Sequence, residues 1–341
     1  MAASQLAQTA QEIAAKPRGI LAADESTGTI EKRLKSIDVV SSKDNRRDYR
    51  ELLFRAEGLG EFVSGVILYD ETIRQKAADG TPLVDVIRGQ NMIPGIKVDT
   101  GAKDLAGAAG EKVTEGLDGL RERLAEYRDI GARFAKWRAV ITIGEGIPSD
   151  ACISANAHAL ARYAALVQEA GLVPIVEPEV LMDGSHDIVR CYEVSEKTLK
   201  CVFAELAAQG VTLDGILLKP NMVLSGKDCP NQAGIEEVAE KTVQCLKDCV
   251  PGEVPGIAFL SGGQSDEDAT AHLNAMNALG KFDWNLTFSY GRALQHPTLI
   301  RWGGKAENIA AAQASLLHRA RMNSLATKGE YSPDMEQALA A

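Results

Sequence analysis

Eight short apolar runs, rich in β-branched residues, recur along the chain, and each ends in polar or glycine-rich residues. They are GILAADE (19–25), VSGVILYD (63–70), IPGIKVD (93–99), ARFAKWRAVI (132–141), LVPIVEPEV (172–180), LDGILLKPNM (213–222), PGIAFLSGG (255–263) and NLTFSYGR (285–292). They recur at intervals of about 30 to 45 residues, roughly the length of a strand plus a returning helix. The segments between them carry apolar residues at helical spacing. NAHALARYAALVQEAG (156–171) stops at Gly171, and SEKTLKCVFAELAAQG (195–210) opens on Ser195 as an N-cap and stops at Gly210. AGIEEVAEKTVQCLKDC and SDEDATAHLNAMNALG fit the same form.

Strands alternating with helices eight times over predict an α/β chain closed into a single (β/α)₈ TIM barrel. An open doubly wound sheet is the alternative. It usually has fewer strands, and no G-x-G-x-x-G follows the first run here. Leu6, Thr9, Ala10 and Ile13 repeat at helical spacing before Pro17, which predicts an extra N-terminal helix rather than a signal peptide. The barrel is expected over residues 1–330. The stretch 331–341 mixes Pro with small residues and is expected to be a flexible surface tail.

Composition narrows the function. The chain has 341 residues, 45% hydrophobic and 25% charged, with a net charge of −10. An acidic protein is a poor default partner for nucleic acid, whose phosphates need a basic face. No apolar run approaches the roughly 20 residues of a membrane span. Six cysteines form no C-x-x-C pair, so reduced thiols in a cytoplasmic setting are expected. The five histidines are scattered without ligand spacing, which predicts no metal site, and no cofactor motif appears.

The charges at the ends of the runs carry the chemistry. In a barrel of this kind the reactive face lies at the C-terminal ends of the strands. Side chains two apart on a strand share a face. Lys97 and Asp99 therefore share one, as do Lys136 and Arg138, and Glu177 and Glu179. Asp24, Lys219 and Ser261 close the first, sixth and seventh runs, and Arg292 follows the eighth. Any one of these charges taken alone reads as a solvated strand end. Repetition on most of the strands, inside apolar runs where polarity is costly, favours a shared site. Ser261-Gly262-Gly263 and Gly291-Arg292 follow the seventh and eighth strands, where such barrels commonly hold a phosphate. Arg292 there can bind a phosphate bidentately.

Several lysines and carboxylates together suit Schiff-base chemistry. An amine among other cations in apolar surroundings loses its proton more easily and attacks a carbonyl. Carboxylates beside it move the protons that dehydration and carbon–carbon cleavage require. Anion-binding ends fix the substrate across the mouth. A phosphorylated sugar follows as the substrate class. Spacing does not choose the nucleophile among Lys97, Lys136 and Lys219.

LAADESTG, GIKVD, AKWR, PIVEPE, LLKPNMV, FLSGGQS and SYGRALQ occur in this order along the chain. The set resembles class I fructose-1,6-bisphosphate aldolase from the first helix to about residue 330. The resemblance implies that Lys219 forms the Schiff base and that Glu177 is the general acid/base, supported by Glu179 and Lys136. It makes Asp24 the carboxylate that removes the C4 hydroxyl proton. Lys97 and Arg138 become sugar or 6-phosphate contacts. Ser261, Gly262, Gly263, Gly291 and Arg292 become the 1-phosphate cradle, with Arg33 as a further phosphate-side arginine. Thr29 stands where the family has a serine and keeps the hydroxyl.

Cleavage of fructose 1,6-bisphosphate and a homotetramer are the corresponding expectations. A transaldolase or deoxysugar-phosphate aldolase is the related alternative, disfavoured by cations at both ends of the pocket. A barrel that has lost activity and only binds is a third, disfavoured because nucleophile and acid/base groups are all present. Animal and plant members end in a tyrosine that exchanges a proton on the enamine, whereas this sequence ends in Ala338-Leu339-Ala340-Ala341. Tyr331 substitutes for it, or substrate phosphate or water moves that proton, or the step is slow. The tail is expected to contribute little to cleavage.

Overall fold

The computed structural model describes residues 2–339. Among these residues ten strands are present in chain order: β1 (Gly19–Ala23), β2 (Val63–Leu68), β3 (Ile93–Lys97), β4 (Gly101–Asp104), β5 (Lys112–Glu115), β6 (Phe134–Ile141), β7 (Val173–Val180), β8 (Leu217–Leu218), β9 (Gly256–Phe259) and β10 (Asn285–Tyr290). Eight of them close a parallel barrel in the order β1-β10-β9-β8-β7-β6-β3-β2. Each barrel strand falls within one of the eight apolar runs.

The pair β4–β5 is an antiparallel hairpin outside the barrel, and the sequence pattern does not announce it. Its strands, GAKD and KVTE, are mostly polar and, apart from Thr114, exposed or half-buried, so they lack the apolar run that marks the others. β8 is only two residues long because Pro220 has no N–H to continue the ladder. Lys219 still donates its N–H to Val176 O at 2.8 Å, so the lysine is fixed by its own backbone, and Pro220 O beyond it accepts from the Leu260 N–H at 3.1 Å.

Strand parity sorts the side chains into two cores. In β6, Ala135, Trp137, Ala139 and Ile141 point outward into the main core under the helices, while Phe134 points into the barrel. Lys136 and Arg138 continue the inward row above Phe134. β7 repeats this, with Val173 and Ile175 inside the barrel and Glu177 and Glu179 above them. The barrel interior is thus apolar below and charged above.

The N-terminal helix, Ala2–Ala14, closes the lower end. Leu6, Ala10, Ile13 and Ala14 join Ile20, Ile67, Phe134 and Leu217 in the inner core. Ser64, near the start of β2, donates its hydroxyl to Ile13 O at 2.6 Å.

Two helices begin earlier than their patterns suggest. The one expected from Ser195 runs Ile188–Ala208, and Asp187 caps it by accepting from the Arg190 N–H at 2.8 Å. Ser195 is buried mid-helix, where its hydroxyl accepts from Asn221 Nδ2 at 3.1 Å. The helix expected over 156–171 starts at Asp150, with Ser149 as its cap. The tail differs from the expected loose segment at its start. Tyr331 is buried, and Pro333–Leu339 forms a 3₁₀ turn. The six cysteines are free thiols. Among the described residues no helix is long and apolar enough to cross a membrane.

Candidate active site

The charged upper layer opens into a cavity of about 780 Å³ at the C-terminal ends of the strands. All fourteen residues proposed for the site line it: Lys219, Glu177, Asp24, Lys136, Glu179, Lys97, Arg138, Ser261, Gly262, Gly263, Gly291, Arg292, Arg33 and Thr29. They come from strand ends and the loops and helices that follow them, far apart in sequence, and barrel closure brings them together.

Glu177 is the centre of the cluster. It is 3% exposed, with Oε1 3.1 Å from Lys219 Nζ and Oε2 3.2 Å from Lys136 Nζ. Oε2 accepts no hydrogen bond from the described residues although it is shielded from solvent. Lys136 Nζ also lies 2.7 Å from Asp24 Oδ2. Burial alone disfavours both carboxylate anions, but Lys136 and Lys219 outweigh it. The Asp24 carboxyl is held well below the usual range, and that of Glu177 is lowered. Burial likewise disfavours the Lys136 ammonium, and the surrounding Asp24, Glu177 and Asp99 carboxylates push its pKa above the usual lysine value.

On one flank Lys97 Nζ pairs with Asp99 Oδ1 at 2.5 Å and donates to Asp99 O at 2.9 Å. Arg138 pairs with Glu179. Burial opposes the Arg138 charge, and Glu179 more than restores it, so the guanidinium stays ionised. Both cations are thus engaged by carboxylates, Arg138 through Nε, with its two terminal nitrogens unbonded among the described residues.

On the opposite flank the chain makes two glycine turns. Gly262 adopts φ +54°, the left-handed region where a Cβ is strained. A Cβ on Gly291 would stand 3.2 Å from Ala22 O, crowding the end of β1. Arg292 donates to the carbonyls of Gly262 and Gln264 and lies 3.8 Å from Asp266 Oδ1. The helix Asp266–Ala278 starts directly after this turn, with Ser265 capping it by accepting from the Asp268 N–H at 3.0 Å.

Several lining residues escaped the sequence reading: Glu25, Ser26, Tyr69, Lys227 and Ser289. Ser289 was available from parity, two residues before Gly291 on the same strand end, and its buried hydroxyl has no partner among the described residues. Glu25 turns the other way from Asp24 and pairs with Arg33 and the buried Arg50, which no local pattern reveals. Lys227 arrives on a long irregular segment. Its backbone N–H is held by Met182 O at 2.8 Å, and its ammonium pairs with Asp183 at 2.5 Å.

A family model for class I fructose-bisphosphate aldolase matches residues 5–341. The chain belongs to that family. Members of this lyase family provide similar proteins over nearly the full length. A probable class 1 fructose-bisphosphate aldolase of Xanthomonas axonopodis pv. citri (strain 306) is 58% identical over 332 residues, covering 97% of this chain and 99% of its own. Fructose-bisphosphate aldolase 1 of Toxoplasma gondii is 53% identical, covering 99% of this chain and 94% of its own. Among solved structures, fructose-bisphosphate aldolase from Plasmodium falciparum, in complex with TRAP and a small-molecule inhibitor, superposes with a TM-score of 0.96. It is 51% identical, and the match covers 97% of this chain and 96% of that one. The (β/α)₈ barrel and the aldolase family expected from the sequence both stand.

Proposed function

We propose that the barrel mouth performs reversible aldol cleavage of fructose 1,6-bisphosphate through an iminium on Lys219. The carrying observation is Glu177, buried with one oxygen 3.1 Å from Lys219 Nζ and the other 3.2 Å from Lys136 Nζ. Lys219 first passes a proton to the ionised Glu177 carboxylate, and the neutral amine then attacks the C2 ketone and forms a carbinolamine. Glu177 passes a proton to the departing C2 hydroxyl, which leaves as water, and the iminium remains. Asp24 takes the proton of the C4 hydroxyl as the C3–C4 bond breaks. The bond electrons move into the iminium, giving an enamine and releasing glyceraldehyde 3-phosphate. Protonation at C3 and hydrolysis then release dihydroxyacetone phosphate and restore Lys219.

Lys136 keeps Asp24 and Glu177 ionised between turnovers, and Glu179 restrains Arg138. Lys97 and Arg138 contact the sugar or its 6-phosphate. Ser261, Gly262, Gly263, Gly291, Arg292 and Arg33 form the 1-phosphate end, with the Thr29 hydroxyl beside it. Cations on opposite flanks of one cavity fit a substrate with a phosphate at each end.

Borohydride reduction in the presence of substrate, followed by peptide mass spectrometry, tests the reading. A stable adduct on Lys219 is expected, and trapping elsewhere or nowhere overturns it. Activity is expected to persist in excess chelator, because the iminium is the electron sink. The family also implies a homotetramer working in the cytoplasm, in glycolysis or gluconeogenesis or in the Calvin cycle. Sedimentation velocity tests the assembly.

A further inference from the structure

Asp24 takes the C4 hydroxyl proton in the proposed cycle, yet among the described residues its side chain pairs only with Lys136. The structure holds it from behind instead. Arg50, on the helix Lys43–Phe54 that packs outside the first strand, is only 1% exposed. Its Nε donates to Ala23 O at 3.1 Å, and one terminal nitrogen donates to Glu25 O at 3.1 Å. Those carbonyls belong to the residues immediately before and after Asp24. The same nitrogen also donates to Glu25 Oε2 at 2.9 Å.

A second side chain completes the clasp. Gln295 Nε2 donates to Ala22 O at 2.7 Å and to Glu25 Oε1 at 2.9 Å. Its own Oε1 accepts from the Tyr49 hydroxyl at 3.1 Å. Glu25 Oε1 also takes Arg33, which lines the cavity. The carbonyls of residues 22, 23 and 25 are therefore each held by a buried side chain, and the residue between the last two is Asp24.

A buried guanidinium is no better than a well-packed apolar side chain as a filler. What it adds is a planar fork that fixes two carbonyls at once, which a lysine or methionine does not reproduce. We propose that Arg50 is a positioning residue for Asp24, with Gln295 as its second clamp. Together they set the backbone on both sides of Asp24, so that its carboxylate meets the C4 hydroxyl at one fixed place. The inference rests on the role given above to Asp24. Displacements of about 1 Å at a reacting group cost roughly 10²-fold in rate, so a small loosening here has a large kinetic effect.

Arg50→Lys keeps the charge and loses the fork, and Gln295→Leu removes the second clamp without touching Arg50. Both are measured as full-length protein in two assays with fructose 1,6-bisphosphate. One is borohydride trapping on Lys219, which reports steps before Asp24 acts. The other is single-turnover release of glyceraldehyde 3-phosphate, which reports the cleavage. For both variants trapping is expected within about twofold of the unaltered protein, with cleavage lowered about 10- to 100-fold. Normal cleavage, or trapping that falls in step with cleavage, overturns the proposal, because the second pattern marks a general structural role. If Arg50→Lys fails to fold, Gln295→Leu alone decides by the same criteria. Absence of a Lys219 adduct in the unaltered protein removes the Schiff-base reading and this proposal with it.

Discussion

Lys136 Nζ lies 2.7 Å from Asp24 Oδ2, and the same ammonium is 3.2 Å from Glu177 Oε2. Asp24 follows β1, and Glu177 stands on β7. β2, β3 and β6 separate those strands on one side of the closed barrel. One buried cation therefore ties carboxylates across the mouth and keeps both in the form that accepts protons.

Replacing Lys136 by methionine keeps the length and removes the charge. Both carboxyls then lose a cation that opposes burial, so their pKa values rise. The acid limb of the kcat/KM profile is expected to move to higher pH, and cleavage at neutral pH to fall by about 10²-fold or more. Stability follows the same sign. The folded carboxyls sit below their unfolded values, so their contribution is complete above about pH 4 and is lost as pH falls through the folded values. The Lys136 pKa is raised, so its contribution is complete below about pH 10 and is lost as pH rises through the folded value. The variant is thus expected to melt lower at pH 7, by an amount that shrinks under acid. An unmoved acid limb would refute this account.

The barrel was legible because each strand must bury both faces, which leaves an apolar run that cannot be mistaken for a loop. Parity then put Lys136 with Arg138 and Glu177 with Glu179 on shared faces, and the end of the sixth run marked Lys219. What parity did not carry was tertiary pairing. Nothing local says that Glu25 meets Arg50, or that Lys227 returns to the rim. The β4–β5 hairpin was silent for the opposite reason, since a polar ribbon outside the barrel needs no apolar run. Ser195 misled because the helical spacing continues back through Cys191 and Ile188 to the better cap, Asp187.

Gly262→Ala tests the phosphate turn. At φ +54° an added Cβ costs roughly 1–2 kcal/mol locally. The chain is expected to relieve the strain by moving the turn away from the phosphate. KM for fructose 1,6-bisphosphate then rises about tenfold, while the rate of Lys219 trapping at saturating substrate changes little. Gly89→Ala, where an added Cβ meets nothing within 4 Å, serves as the control and leaves KM unchanged.

Ile13 tests the division of labour between the two ends of the barrel. It is fully buried in the inner core beneath the charged layer. Ile13→Ala is expected to destabilise the fold by about 2–5 kcal/mol. Because the plug lies at the end away from Lys219, kcat below the melting range stays within about twofold. A selective loss of kcat in fully folded protein would show that the plug shapes the chemistry.

The anchored tail offers the last test. Tyr331 is 7% exposed, and its hydroxyl donates to Glu336 Oε1 at 3.0 Å. Glu336 also pairs with the buried Arg319 and lies 2.8 Å from His318 Nε2. Arg319 reaches on to Asp266 O at 3.0 Å, in the helix that follows the glycine turn. Tyr331 is thus engaged on the outer helices and does not line the mouth. Deleting residues 332–341 removes Glu336 and leaves Arg319 without its carboxylate, at a cost of about 3 kcal/mol. Thermal unfolding should fall by several degrees. Initial cleavage rates at 25 °C, where the shortened protein remains folded, should stay within a few-fold of the full chain. A collapse in rate there, with the melting temperature intact, would mean that residues beyond Tyr331 act in the chemistry.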